Sequence, residues 1–282
     1  MEHREDIVLV TGASEGIGNA CATFVAKKGF RTYGTCPNPN SYERKADEFF
    51  ELIAMDPREE SSVAKAAEAL LAREKRLDAL VCCSGTGFFS SIEDCSLKEV
   101  ENIFESNLFG AIRTIKAFLP AMREAGSGRI LVVAPLAAGS RLPGMGLCSA
   151  AARAVEAIVD TLRVELKPYG IQASVLEVGP IRAIFHDFPR AADFAAAKSH
   201  YRRALRFVID GSERLGPAGD VPLGAARAVH ELISASRLPA RRRIAPLVPR
   251  ATAFFSRVLP LWLDEALLIL RLRLHRHKER KS

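Results

Sequence analysis

The sequence predicts an α/β fold, a single doubly wound parallel sheet with helices on both faces and a helical C-terminal extension. Three observations predict it. Apolar, strand-like runs alternate with helix-like segments six times along the first two thirds of the chain, the pattern of a parallel sheet covered on both faces. The first run stops at a glycine-rich turn, "TGASEGIG". The 282 residues are 48% hydrophobic and 26% charged, the balance of a core-forming globular chain.

The elements follow in order. "IVLV" (Ile7 to Val10) is a continuous apolar run of the kind a buried parallel strand shows. "NACATFVAKKGF" has helical composition, with Gly29 as a C-cap. "RTYGTC" reads as a second strand, "PNPN" as a loop, "SYERKADEFFEL" as a helix and "LIAMD" as a third strand ending at Asp56. "PREESSVAKAAEALLAREK" predicts a helix with Pro57 near its start and acids in its first turn. "LDALVCCSG" is a fourth strand. A long helical region runs from Ser96 to Gly126, where Ser96 and Glu99 have capping-box spacing. "GRILVVAPL", a helix from Ser149 to Gly170, and "IQASVLEVGP" complete the six repeats. The domain is expected over 1–236, with a basic extension over 237–282.

Charge is distributed unevenly. Net charge is +7, and residues 237–282 hold twelve Lys or Arg against three Asp or Glu. The body is therefore slightly acidic, and basicity is expected to concern the extension alone. The six cysteines (Cys21, Cys36, Cys82, Cys83, Cys95, Cys148) have neither zinc-site nor disulfide-framework spacing. Reduced thiols and a cytoplasmic setting are expected. The apolar run after "MEHRED" is too short for a signal peptide or a membrane span.

Gly12, Gly16 and Gly18 lie directly after a strand and at the head of a helix. Glycine permits the tight turn and the close approach of a ligand, and free N–H groups at the helix start favour a pyrophosphate. This strand–turn–helix context predicts a Rossmann-type dinucleotide site.

The spacing Gly-x-x-x-Gly-x-Gly resembles that of the short-chain dehydrogenase/reductase family, and the resemblance runs from about residue 5 to 185. Asp56 looks like the family's adenine-contacting acid. "SNLFGAIRTIKAFLPAMREAGSGRI" resembles its long-helix segment, with Asn107 at the family's asparagine. "KPYGIQASVLEVGPI" resembles the strand and turn that cover the nicotinamide. The cofactor residues this implies are Gly12, Ser14, Gly16, Ile17 and Gly18 in the first turn, Asp56, then Cys83, Ser84, Gly85 and Asn107, and finally Gly179, Pro180 and Ile181. The retinol- and steroid-dehydrogenase branch is the most similar in character, which implies a lipophilic ligand.

The same resemblance locates a catalytic serine, tyrosine and lysine at Pro135, Cys148 and Ala152. None of the four tyrosines (Tyr33, Tyr42, Tyr169, Tyr201) has a lysine four residues on, so the motif has not moved elsewhere. Proline and alanine offer no proton. A cysteine side chain is shorter than tyrosine's, and nothing nearby lowers its pKa. Losing one general acid–base group costs about 10²–10⁴-fold, so ordinary alcohol–ketone chemistry is expected to be lost.

Asn107 and Cys148 are the candidate catalytic residues that remain, and His186, after "GPIRAIF", is a histidine that a Cys148–His pair would have to draw on. "CCSG" replaces the family's Asn-Asn-Ala-Gly, and Ala183 stands at its carboxamide-binding threonine. Pro37 replaces an arginine that reads the 2′-phosphate of NADP, and Glu15 would repel that phosphate. NAD is therefore the expected cofactor over NADP.

Three functions are compatible with these residues. The first is a catalytically impaired member that binds nucleotide or lipophilic ligand, or serves as a partner subunit in a homo- or hetero-oligomer. The second is an oxidoreductase on a lipophilic alcohol or ketone using non-standard residues. The third is a non-redox enzyme built on Cys148.

In the extension no charge-free run exceeds the six residues of Val258 to Leu263, far below the ~18 of a membrane span. Its mixture of Phe254, Phe255, Trp262 and Leu/Ile with arginines suits either an interfacial helix on a membrane surface or a helix packed on a partner. Nothing in it matches a nucleic-acid-binding motif.

Overall fold

The computed structural model describes residues 6–43, 49–136, 141–179, 199–213 and 221–245. Between 262 and 270 it describes 262–263, 265–266 and 268–270. Seven parallel strands form one sheet: β1 Ile7–Val10, β2 Arg31–Cys36, β3 Glu51–Ala54, β4 Ala79–Cys82, β5 Gly128–Pro135, β6 Ile171–Val178 and β7 Arg241–Ile244, in the order β3-β2-β1-β4-β5-β6-β7. The helices are α1 Gly16–Lys27, α2 Glu60–Glu74, α3 Leu97–Phe104, α4 Gly110–Ala125, α5 Gly146–Glu165, α6 Arg202–Glu213 and α7 Val221–Ser234.

β1 shows why the sheet is doubly wound. All four of its residues are buried, and alternate side chains enter different layers. Ile7 and Leu9 pack with Leu70 of α2, Phe118 and Met122 of α4, and Val155 and Val159 of α5. Val8 and Val10 pack with Cys21 and Val25 of α1 and with Val229 and Leu232 of α7. A strand that buries both faces needs no polar alternation, which is why its sequence reads as a plain apolar run.

α3 starts with the capping box read from the sequence. The Ser96 hydroxyl accepts from the Glu99 N–H at 3.3 Å, and the Glu99 carboxylate accepts from the Ser96 N–H at 2.7 Å. The long helical region is broken by a π turn, Glu105–Phe109, between α3 and α4.

Two expectations are corrected. The helix expected across "SYERKADEFFEL" does not reach its end: Glu51 and Leu52 pair with Tyr33 and Gly34 as the start of β3. Sheet pairing overrides their helical propensity. A seventh strand, β7, joins the six expected. It lies past residue 236, within the segment read as extension, so the sheet continues to Ile244. Its charges hid it. Arg243 and Arg241 reach Glu177, a fully buried carboxylate on β6, at 2.6 and 3.6 Å, and Arg241 also reaches Asp160 and Glu156 of α5. Part of the basicity expected to concern the extension thus belongs to the sheet edge. No helix among the described residues is long and apolar enough to cross a membrane.

Candidate functional site

Parallel strands end together, and the crevice beyond their carboxyl ends is where ligands bind in open α/β sheets. The first residue past β1 is Thr11. Its N–H donates to the carbonyl of Val81 at 2.9 Å, and its hydroxyl oxygen accepts the N–H groups of Cys83 and Ser84, each at 3.0 Å. One buried side chain thereby ties the glycine turn to the loop after β4. Ala13 adds a tie to β2, donating to the Thr35 carbonyl at 2.8 Å.

Gly12 (φ +66°) and Gly16 (φ +58°) occupy the left-handed region, where a side chain is strained. Gly18 is required for another reason. A Cβ there would lie 2.1 Å from the Gly12 carbonyl oxygen, so the first turn of α1 rests on the turn's own backbone. No side chain caps α1, whose N-cap residue is Glu15. Its leading N–H groups are left for solvent or an anion. Ser14 and Ile17 are half-buried beside them. Gly12, Ser14, Gly16, Ile17, Gly18, Cys83 and Ser84 therefore come together at one place.

Gly85 and Asn107 form the next part. The Asn107 amide accepts from the Thr86 N–H at 2.7 Å and donates to the Thr86 carbonyl at 2.8 Å. A Cβ on Gly85 would lie 2.6 Å from the same amide oxygen. Asn107 sits in the π turn, an irregularity frequent at functional sites, and clamps the loop after β4 with both ends of its side chain.

Asp56 follows β3, and its carboxylate is bound by the Arg58 guanidinium at 2.6 Å and the Arg58 N–H at 3.0 Å. These bonds hold the carboxyl below the usual carboxylate range. Gly179 donates to the Ile244 carbonyl at 2.6 Å and lies against Ala245. Pro180, Ile181, Ala183 and His186 lie outside the described residues.

The opposite end of the crevice is apolar. Cys148 is 4% exposed, on the first turn of α5, among Phe89, Met145, Leu205 and Val208. Its sulfur accepts from the Phe88 N–H and donates to the Phe88 carbonyl, both at 3.4 Å. Burial pushes the thiol up, away from the thiolate that a nucleophile requires. Ala152, one turn on, is part of the core beneath the sheet. Pro135 closes β5 opposite Val178. Leu205 and Val208 come from α6, whose start is pinned by hydrogen bonds from the Ser199 hydroxyl to Asp94 and the Tyr201 hydroxyl to Glu93.

The other thiols of the site are also held protonated. Burial pushes Cys82 up to about 12, and a bond to the Cys21 thiol, with burial, raises Cys83. No cluster of His, Cys, Asp and Glu among the described residues is arranged to hold a metal.

Sequence reasoning missed Thr11, Arg58, Thr86 and Phe88. Thr11 precedes the first glycine and had a legible signal, a hydroxyl at the end of a buried strand. Arg58 had one as well, a cation two residues after Asp56, whereas Thr86 and Phe88 meet their partners only through tertiary contact.

Comparison with known proteins agrees with this fold. The sequence profile of the family described as short chain dehydrogenase matches residues 6–188. A 3-ketodihydrosphingosine reductase of Bacteroides thetaiotaomicron is 28% identical over 86% of this chain and 88% of its own length. Human 17-beta-hydroxysteroid dehydrogenase type 1 is 32% identical over 64% of this chain and 58% of its own. A solved metagenomic short-chain oxidoreductase in complex with NADP superposes with a TM-score of 0.67 at 22% identity, covering 86% of this chain and 97% of that one.

Proposed function

The chain belongs to the short-chain dehydrogenase family, and from that premise we propose that it binds NAD(H) while lacking the family's proton relay. It is then a catalytically impaired or non-catalytic member that holds a nucleotide and a lipophilic ligand, or serves as a partner subunit. One observation carries the reading, the contrast between the two ends of the crevice. At one end Thr11, Gly12 and Gly18 are packed as a phosphate-binding turn requires. At the other, Pro135 and Ala152 carry no proton and the Cys148 thiol is buried against the Phe88 peptide. Gly12, Gly16, Gly18 and the α1 N–H groups would hold the pyrophosphate, and Ser84 and Gly85 would line the ribose side. The nicotinamide would supply the hydride in any redox step. Asn107 would position the loop after β4.

NAD is favoured over NADP for the charge reason already given: Glu15 is exposed at the head of α1, and Pro37 offers no cation to a 2′-phosphate.

A second reading keeps the oxidoreductase. The related proteins named for sphingolipid and steroid chemistry favour a lipophilic alcohol or ketone as its substrate, with water or Cys148 giving the proton to a ketone or taking it from an alcohol. The use of Cys148 as a nucleophile has less support, because its thiol is buried and raised.

Calorimetric titration with NAD⁺, NADH, NADP⁺ and NADPH tests the proposal. Saturable binding of NAD⁺ or NADH without turnover of lipophilic ketones is the expected result. Steady oxidation or reduction at family-like rates would move the assignment to the second reading. No binding of any of the four would remove both.

A further inference from the structure

The helical residues between 262 and 270 carry large apolar side chains in water. Trp262 is 68% exposed, Ile269 49% and Leu270 53%. Ile269 lies seven positions after Trp262, about two turns of helix, so the two share a face, and Leu270 adjoins it. Clustered exposed apolar residues of this size mark a docking surface. The sequence that follows supplies the charge. Residues 271–281 hold six Lys or Arg (Arg271, Arg273, Arg276, Lys278, Arg280, Lys281) against the single acid Glu279. The arginines of β7 are engaged with acids of β6, α5 and α7, and the group at 271–281 comes about thirty residues later in the sequence.

We propose that this segment docks on an anionic lipid surface, with Trp262, Ile269 and Leu270 entering the headgroup boundary and the following basic residues lying on the headgroups. Trp is suited to that boundary because its ring is apolar and its N–H polar. Each Lys or Arg near an anionic membrane strengthens partitioning roughly fivefold. A second copy of the chain fits less well, since like docking on like would bring two strongly basic segments together. The proposal is independent of the nucleotide reading.

Trp262 is the only tryptophan in the chain, so its emission reports this surface alone. The full chain is mixed with vesicles of phosphatidylcholine containing about 30% phosphatidylglycerol, and separately with phosphatidylcholine alone. A blue shift and co-flotation are expected with the anionic vesicles, and both should weaken as salt approaches about 1 M, where screening reaches in to about 3 Å. Ile269→Glu with Leu270→Glu should lower the partition by about tenfold or more, and Arg271→Glu with Arg273→Glu likewise. Both pairs leave the fluorophore in place. Unchanged emission with anionic vesicles would overturn the proposal. So would a blue shift that grows with protein concentration in the absence of lipid, which would give the face to a second copy.

Discussion

Gly18 has no room for a side chain, because the carbonyl oxygen of Gly12 occupies the place where its Cβ would be. Gly18→Ala should push α1 off the turn, cost about 1–3 kcal/mol by overpacking, and abolish nucleotide binding in the titration. Thermal unfolding and calorimetry on the same variant would separate the two effects. Retained affinity would mean the turn is not the phosphate site.

The thiols make a second prediction at this scale. Cys82 is pushed up to about 12 by burial, whereas a thiol in an unfolded chain titrates near about 8.5. At lower pH both states keep the proton, and burial of the neutral thiol contributes fully. Between those two values the unfolded state ionises and the folded state does not, so stability falls as pH rises. The unfolding temperature should decline through this window, less steeply in Cys82→Ala. Equal slopes would show that other groups govern alkaline stability.

At the scale of elements, α6 covers Cys148 because two hydrogen bonds pin its start and Leu205 and Val208 fill the space beneath it. Ser199→Ala with Tyr201→Phe removes both hydroxyls while leaving the apolar contacts. The expected result is faster labelling of Cys148 by a thiol reagent, with little change in unfolding temperature. A labelling rate equal to that of the parent chain would show that packing alone holds the helix. α3 depends on a different local device. Ser96→Ala removes the cap of a helix whose end would otherwise fray, and should cost about 1 kcal/mol in denaturant unfolding. Its capping box was legible in the sequence because the pattern lies within four residues.

At the scale of the whole molecule, the sheet closes on β7 through a carboxylate with no exposure to water. Glu177→Gln would leave Arg241 and Arg243 facing a neutral amide. Breaking a buried pair from one side costs about 3–5 kcal/mol, and the partial exposure of both arginines puts the expected loss near the lower figure. Hydrogen exchange should show β7 opening while β1 and β4 stay protected. Uniform loss of protection would mean that the edge is not a separable unit.

The sequence by itself determined the layering of this protein and the position of its glycine turn. Both are local: β1 reads as apolar throughout because both its faces are covered, and the three glycines, spread over seven residues of chain, are needed by positive φ at Gly12 and Gly16 and by a backbone contact at Gly18. It also holds the three residues, Pro135, Cys148 and Ala152, on which the proposed loss of the proton relay rests. Tertiary structure alone decided how the remaining groups are used. Asn107 spends both ends of its amide on Thr86, whereas Asp56 is taken locally by Arg58, two residues on. Cys148 turns to the peptide of Phe88, and a run of arginines becomes a strand because Glu177 waits buried on its neighbour. A polar side chain's role is set by the partner that burial brings to it, and all of these partners except Arg58 lie more than twenty residues away along the chain.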